Sequence, residues 1–315
     1  MTTSTCTHDL VLFGSDEELI DTVAPFVADG VAAGDRVLVH GDPGQLGALH
    51  EAVSGPGVES GGAGYATPIA TLSGYQRLCD AETASGRGVR AIAPIPVGSS
   101  PAARADWTRY EALVARALGP YRFAGLCLYD TRVTPPELIE RARDVHRHFR
   151  GPTGLRPNAH ARPDLEVLRD IDGAHPWPPP PPDARTALAA DLPAGAGPVA
   201  MSTPRHAVRE ALRDGGLPHE RAQEYLAAIS EVLTNALQHG RGPVQIRLLT
   251  NDDRWWCTVT DHGSGIDDPY TGIDSPLPGN PGAAGTGLWV ARQLCDHLTI
   301  NNTPSGASVV LHQQA

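Results

Sequence analysis

Apolar and polar positions follow two regimes along the chain. Up to about residue 150, short and almost continuous apolar runs, "DLVLFG" (9–14), "RVLVHG" (36–41), "VRAIAPI" (89–95) and "FAGLCLYD" (123–130), are separated by longer stretches. In those stretches, 16–32, 101–118 and 135–149 among them, apolar residues recur every three or four positions. A strand that is apolar on both faces has to be covered on both. The pattern therefore predicts a mainly parallel sheet flanked by helices, an α/β unit.

From about residue 200 the periods change. "TPRHAVREAL" (203–212) predicts a helix carrying Arg205, Arg209 and Arg213 and leading through "DGGLP" into a long helix over 219–239. "VQIRLLTND" and "RWWCTVTDHGSG" alternate across a polar turn and predict an antiparallel pair. A glycine- and proline-rich loop (267–284), a helix (286–298) and a closing hairpin in "LTINNTPSGASVVLHQ" complete an α+β sandwich. Between the two regimes stands "GAHPWPPPPPDA", with five consecutive prolines at 178–182. Such a run favours extended polyproline II; it suits a semi-rigid spacer, and a ligand for a proline-binding module is the other reading. The expected organisation is an α/β domain over 1–155, a proline-rich linker over 156–198 and a second domain over 199–315.

Composition narrows the chemistry. A net charge of −11 disfavours a nucleic-acid surface, which needs clustered positive charge. All 25 basic residues are arginine. Without lysine there is no Walker-type GK[ST] loop, no Schiff-base lysine and no kinase strand lysine. The glycine-rich turn "HGDPGQLG" (40–47) also lacks GxGxxG spacing, so it makes a poor phosphate loop. Five scattered cysteines without a CxxC pair argue against a disulfide framework and against a structural zinc site. No apolar run is long enough to span a bilayer and no basic-then-apolar leader opens the sequence, which leads us to expect a cytoplasmic protein with no membrane partner.

One helix carries chemistry that composition does not explain. In the helix that contains "ISEVLTNALQHG" (229–240), Leu226, Ile229, Leu233 and Leu237 fall on one side. Glu231, Asn235 and His239 drift by only about 40° per step and project together from another side. A solvated polar face would account for them. Two later motifs favour a site: "DHGSGI", with Asp261, Gly263 and Gly265 where a strand ends, and "GAAGTGLWVARQLC", with Gly285 and Gly287 opening a helix. Glycines there let backbone amides approach an anion at a helix N-terminus, and Asp261 could accept from an adenine amino group.

The order ExxxN, DxGxG, flexible loop, GTGL-helix resembles the N box and the two glycine boxes of the GHKL ATPases: histidine kinases, gyrase B, MutL and the anti-sigma-factor serine kinases. The resemblance covers about 200–315 and implies a Bergerat-type sandwich that binds ATP and Mg²⁺. Asn235 would hold the metal, Asp261 would read the adenine, and Gly263, Gly265 and Ile266 would shape the pocket. The loop 267–284 would be the lid, and Gly285, Thr286 and Gly287 would support the phosphates with Leu288 packed beneath. His239 would border the nucleotide or simply favour the helix dipole. No paired dimerisation helices with a phosphoacceptor histidine precede this domain. "RHAVREAL…LPHERAQEYLAAISEVLTNALQHG" resembles the anti-sigma kinases, which implies Glu231 as general base towards a serine of an anti-anti-sigma (STAS) partner, together with sigma-factor binding. A non-catalytic ATP-dependent adaptor and an atypical sensor histidine kinase are the alternatives. Dimers are common among such proteins, which makes a homodimer an open expectation.

The front half, through "THDLVLFGSDEELIDTVAPFVADGVAAGDRVLVHGDP", "ADWTRYEALVARAL" and "FAGLCLYDTRVTPPELIERARDVH", resembles the MEDS sensory domain, a RecA-like α/β fold proposed to sense small organic ligands. The matching polar positions are His8, Glu111, Tyr129, Asp130 and Arg132, with Cys127 beside them. Asp130 ends a strand, where open parallel sheets place ligands. His8 lies at the opposite strand end, where a capping or core histidine is the simpler reading.

Overall fold

The structure is a computed structural model that describes residues 6–61, 67–98, 101–174, 180–193, 201–251, 253–266, 268, 270–272, 285–303 and 306–315. The chain divides into two units, residues 1–176 and 177–315.

In the first unit the apolar runs become strands and the periodic stretches helices. These are β1 (Thr7–Phe13), α1 (Asp16–Ala32), β2 (Arg36–His40), α2 (Pro43–Val53), β3 (Val58–Gly61), α3 (Pro68–Ala84), β4 (Val89–Pro94), α4 (Pro101–Ala117), β5 (Phe123–Asp130), α5 (Pro136–Val145), β6 (His148–Gly151), β7 (Gly154–Pro157) and α6 (Asp164–Ala174). The sheet runs β3-β2-β4-β5-β1-β6-β7, parallel throughout except for the β6–β7 hairpin. Helix α1 starts where Ser15 accepts from the Glu18 amide at 3.2 Å, with Asp16, Glu17 and Glu18 set against the positive end of the helix. On one face of the sheet, Val11, Phe13, Leu126 and Leu128 pack with Leu19, Val23 and Phe26 of α1. The neighbouring positions on β1 and β5 point to the other face and meet α4.

The second unit adds β8 (Arg185–Leu192), α7 (Ser202–Asp214), α8 (His219–His239), β9 (Val244–Thr250), β10 (Arg254–Thr260), α9 (Thr286–Leu294), β11 (His297–Thr303) and β12 (Gly306–Gln314). Its five strands run β11-β12-β10-β9-β8, every pair antiparallel. Val244, Ile246 and Leu248 alternate inward from β9 and join Trp255, Cys257, Val259, Val309 and Leu311 in one core with Leu226, Ile229 and Leu233 of α8 and Leu288 of α9. The "DGGLP" turn ends α7 as a left-handed cap. Gly216 takes φ +81°, and Leu217 N–H returns to Leu212 O at 3.2 Å.

Several boundaries differ from the sequence expectation. Residues 156–198, expected as a linker, contain the end of β7, helix α6 against α4, and strand β8 on the edge of the second sheet. The helix expected over 135–149 stops at Val145, because His148 and Phe149 pair with β1. Helix α9 stops at Leu294, because His297 and Leu298 pair with β12. Elements α2, β3 and α3 were not anticipated. Among the described residues no helix is long and apolar enough to cross a membrane.

Two glycines test how tightly each unit is assembled. A Cβ on Gly215 would fall 2.3 Å from the ring of the buried Trp255, whereas one on Gly74, inside α3, meets nothing within 4 Å. Gly215→Ala should therefore cost about 1–3 kcal/mol by overpacking a rigid ring. Gly74→Ala should be neutral or add up to about 1 kcal/mol through helix propensity. Urea unfolding of the full-length variants measures both.

Candidate functional site

Helix α8 buries Tyr225, Leu226, Ala228, Ile229, Ser230, Val232, Leu233 and Ala236, and leaves Glu231 and Asn235 half-buried and His239 exposed. From Glu231 to His239 the polar row spans about 12 Å of helix. At its first end stands α9. A Cβ on Gly287 would lie 3.0 Å from Glu231 Oε2 and 3.8 Å from Glu231 O, so the start of α9 touches this stretch of α8 with almost no gap. Gly285 caps α9 in the left-handed conformation (φ +91°) with no side-chain hydrogen bond to the first turn. Gly285, having no side chain, gives this first turn no side-chain cap, and the turn lies at the positive end of the α9 dipole.

At the other end of the row the Asp261 loop docks on the end of α8. A Cβ on Gly240 would lie 2.6 Å from Asp261 Cγ, and one on Gly263 would lie 3.0 Å from Gly240 Cα. His262 N–H donates to Arg241 O at 2.8 Å and Asp261 N–H to Ala307 O at 2.9 Å. Gly263 N–H donates to Asp261 Oδ1 at 2.7 Å, which fixes the carboxylate. Its second oxygen accepts no hydrogen bond among the described residues. Gly265 takes φ +87°, which suits glycine. The Asn302 carboxamide then clamps Ile266, accepting from its N–H at 2.9 Å and donating to its carbonyl at 2.7 Å. Leu288, 1% exposed, lies in the core below the start of α9, and Thr286 opens that helix.

The structure thus gathers Glu231, Asn235, Asp261, Gly263, Gly265, Ile266, Gly285, Thr286, Gly287 and Leu288 around the polar face of α8, with His239 on the outer edge. Neither Glu231 nor Asn235 spends its polar atoms on a hydrogen bond or ion pair among the described residues. An acid and an amide kept half-buried and unpaired beside a helix N-terminus can take an anion together with a cation. A fixed carboxylate 12 Å or so along the same helix can take a hydrogen-bond donor. Residues 267, 269 and 273–284 of the expected lid lie outside the described residues. Sequence reasoning missed Asn302 and Gly306. Gly306 has φ +144°, and a Cβ there would lie 2.0 Å from Asp261 O, so only a glycine lets the strand seat the Asp261 loop. The "PSG" turn hinted at this glycine, while nothing local marked Asn302.

In the first unit, His8, Glu111, Cys127 and Tyr129 come together on the face of the sheet under α4. His8 Nε2 lies 2.9 Å from Cys127 Sγ, and Tyr129 O–H donates to Glu111 Oε2 at 2.5 Å. A fourth ligand-type side chain, His146 from the residue after α5, completes the group and was missed because its partners are far away in sequence. Loss of solvent pushes the Glu111 carboxyl up to about 8 and the His146 ring down to about 4, and lowers His8 in the same way. Asp130 stands apart. It accepts several hydrogen bonds from Arg132, which also reaches Asp16, and the Arg132 guanidinium holds its carboxyl below the usual range.

Comparison with known proteins agrees with this division. Residues 7–147 match the model of the MEDS family, the methanogen/methylotroph, DcmR sensory domain, and residues 195–312 match that of the histidine kinase-like ATPase domain. No curated protein matches the chain. Among solved structures, the RsbU and RsbW domains of a Mycobacterium tuberculosis protein are 21% identical over 40% of this chain and 32% of that one, with a TM-score of 0.30. The SiaB–SiaC complex from Pseudomonas aeruginosa is 15% identical over 48% of this chain and 98% of that one, also with a TM-score of 0.30. The match spans about a third of the length of the first of these. The chain thus carries a MEDS domain over 7–147 and a histidine kinase-like ATPase domain, GHKL-like, over 195–312.

Proposed function

We propose that the second unit binds ATP with Mg²⁺ and acts as an anti-sigma-type serine/threonine kinase on an anti-anti-sigma (STAS) partner, with sigma-factor binding as its companion activity, in the cytoplasm. The MEDS domain would control it through a small-molecule effector. The observation that carries this reading is the pair Glu231 and Asn235, half-buried and without a hydrogen bond or ion pair among the described residues, with Glu231 against the first turn of α9.

The residues fit the group. The Asn235 amide oxygen is a hard, neutral donor of the kind Mg²⁺ accepts alongside phosphate oxygens. The ion, when bound, would neutralise phosphate charge. The amides of Thr286 and Gly287 would face phosphate oxygens, with no side chain at Gly287 to keep them away. Asp261, fixed by the Gly263 amide, would accept from the adenine amino group. Glu231 would take the proton from the partner's hydroxyl as that oxygen attacks the γ-phosphorus, with the bond to ADP breaking on the opposite side. The likeness of the α7–α8 sequence to the anti-sigma kinases, and the lack of a phosphoacceptor module before it, support a serine on a partner over a histidine in the same chain.

Titration calorimetry on the full chain tests the binding step. ATP with Mg²⁺ should bind, and Asn235→Ala should weaken binding by at least the roughly tenfold that loss of even an outer-shell partner costs a metal site. Absence of any ATP binding by the unaltered chain overturns the reading. Asp261→Asn should cost about 1.5–3 kcal/mol of ATP affinity, the worth of a hydrogen bond to a charged group, and Asn can still accept from the Gly263 amide.

Glu231→Gln separates the kinase from an adaptor that needs ATP only to hold its shape. ATP affinity should stay near wild type while phosphate transfer to a captured STAS-type partner falls by about 10²–10⁴-fold. Partner regulation that survives this change in full, with ATP still bound, excludes the catalytic role.

A further inference from the structure

We propose that the MEDS domain carries a buried site for one borderline divalent transition-metal ion, with Zn²⁺ as its natural occupant, built from His8, Glu111, Cys127 and His146. The ligand atoms of these four residues all lie within 4.8 Å of one another. A tetrahedron on bonds of about 2.0–2.3 Å has edges of about 3.3–3.8 Å, so small rotations close the set around one ion. The donors come from four different elements: β1, α4, β5 and the turn after α5. An ion there ties the central strands to the helices above them.

The polar atoms left unsatisfied carry the argument. Glu111 Oε1 and His146 Nε2 are buried and 3.4 Å apart, and neither makes a hydrogen bond. His146 Nδ1 lies 2.7 Å from the Ala142 carbonyl, an atom that only accepts, so Nδ1 carries the hydrogen and Nε2 presents its lone pair. A lone pair aimed at a carboxyl oxygen in a dry interior calls for a proton or a metal ion between them. Buried polar atoms without a protein partner call for a bound ion, a water or a strained site, and here two ligand-type atoms of this kind face each other.

The supporting contacts fit the same reading. Tyr129 O–H holds the other oxygen of Glu111 and the Ala142 carbonyl holds the other nitrogen of His146. Metal ligands are usually oriented by such contacts. Two histidines, a thiolate and a carboxylate suit zinc better than magnesium or calcium, which prefer oxygen alone. Their two negative charges cancel the two positive charges of the ion, and the thiol proton leaves as the Cys127–metal bond forms. With four protein donors the site is closed, as in structural zinc centres.

Metal analysis of the tag-free full chain, dialysed against Zn²⁺ and then against buffer, tests the proposal. One zinc per chain is expected. Replacement by Co²⁺ should give tetrahedral visible bands and a near-ultraviolet thiolate-to-cobalt transition. Cys127→Ser should abolish that transition and His146→Ala should reduce the metal content. If circular dichroism shows that Cys127→Ser does not fold, His146→Ala and the unaltered chain decide. Zinc no higher than the dialysis blank, a cobalt spectrum of the aqueous ion, or a charge-transfer band that persists in folded Cys127→Ser overturns the site. None of these readouts depends on ATP.

Discussion

Everything in the second unit depends on one helix being used on two sides at once. Helix α8 must bury Leu226, Ile229 and Leu233 to hold the antiparallel sheet, yet keep Glu231 and Asn235 from being consumed by the same packing. Both conditions hold only if the elements along the polar side approach closely without side chains of their own. Gly240, Gly263 and Gly287 meet that condition, since a methyl group at any of them would press on Asp261, Gly240 or Glu231. The pocket is shaped by what is missing from these residues as much as by what is present.

The first unit solves a different problem. A parallel sheet is buried on both faces, so a polar residue facing inward has to find its partners inside the protein. On the α1 face the answer is a plain aliphatic core of Val11, Phe13, Leu126 and Leu128. On the α4 face, positions only one residue out of phase, His8, Cys127 and Tyr129, meet Glu111 and His146 instead. The two faces of the same strands thus carry different duties. The period of two between successive side chains keeps them separate.

These two designs bear on regulation. A polar cluster inside an α/β domain is costly unless fully satisfied, and is therefore an element whose packing responds to what occupies it. In the second unit, an acid and an amide that make no hydrogen bond or ion pair among the described residues are likewise open to a ligand.

Much of this was legible in the sequence. The four apolar runs of the first unit became parallel strands, and 16–32 and 219–239 became helices with the expected ends, because capping residues and 3.6-residue periods act locally. The polar stripe of α8 and the glycines at 263, 265, 285 and 287 were visible for the same reason: a spacing or a missing side chain is a property of the chain itself. Strand β8 was not visible, since "RTALAADL" becomes a strand only through pairing with β9 across a bulge at Thr186 and Leu188. Nor were the early ends of α5 and α9, which yield to pairing with β1 and β12. Asn302, Gly306 and His146 acquire their roles from residues 35 or more positions away, and no local pattern encodes a contact that only folding brings about. The sequence by itself determined which residues could serve a site. The tertiary structure decided which of them meet, because closeness between distant segments depends on how whole sheets and helices stack.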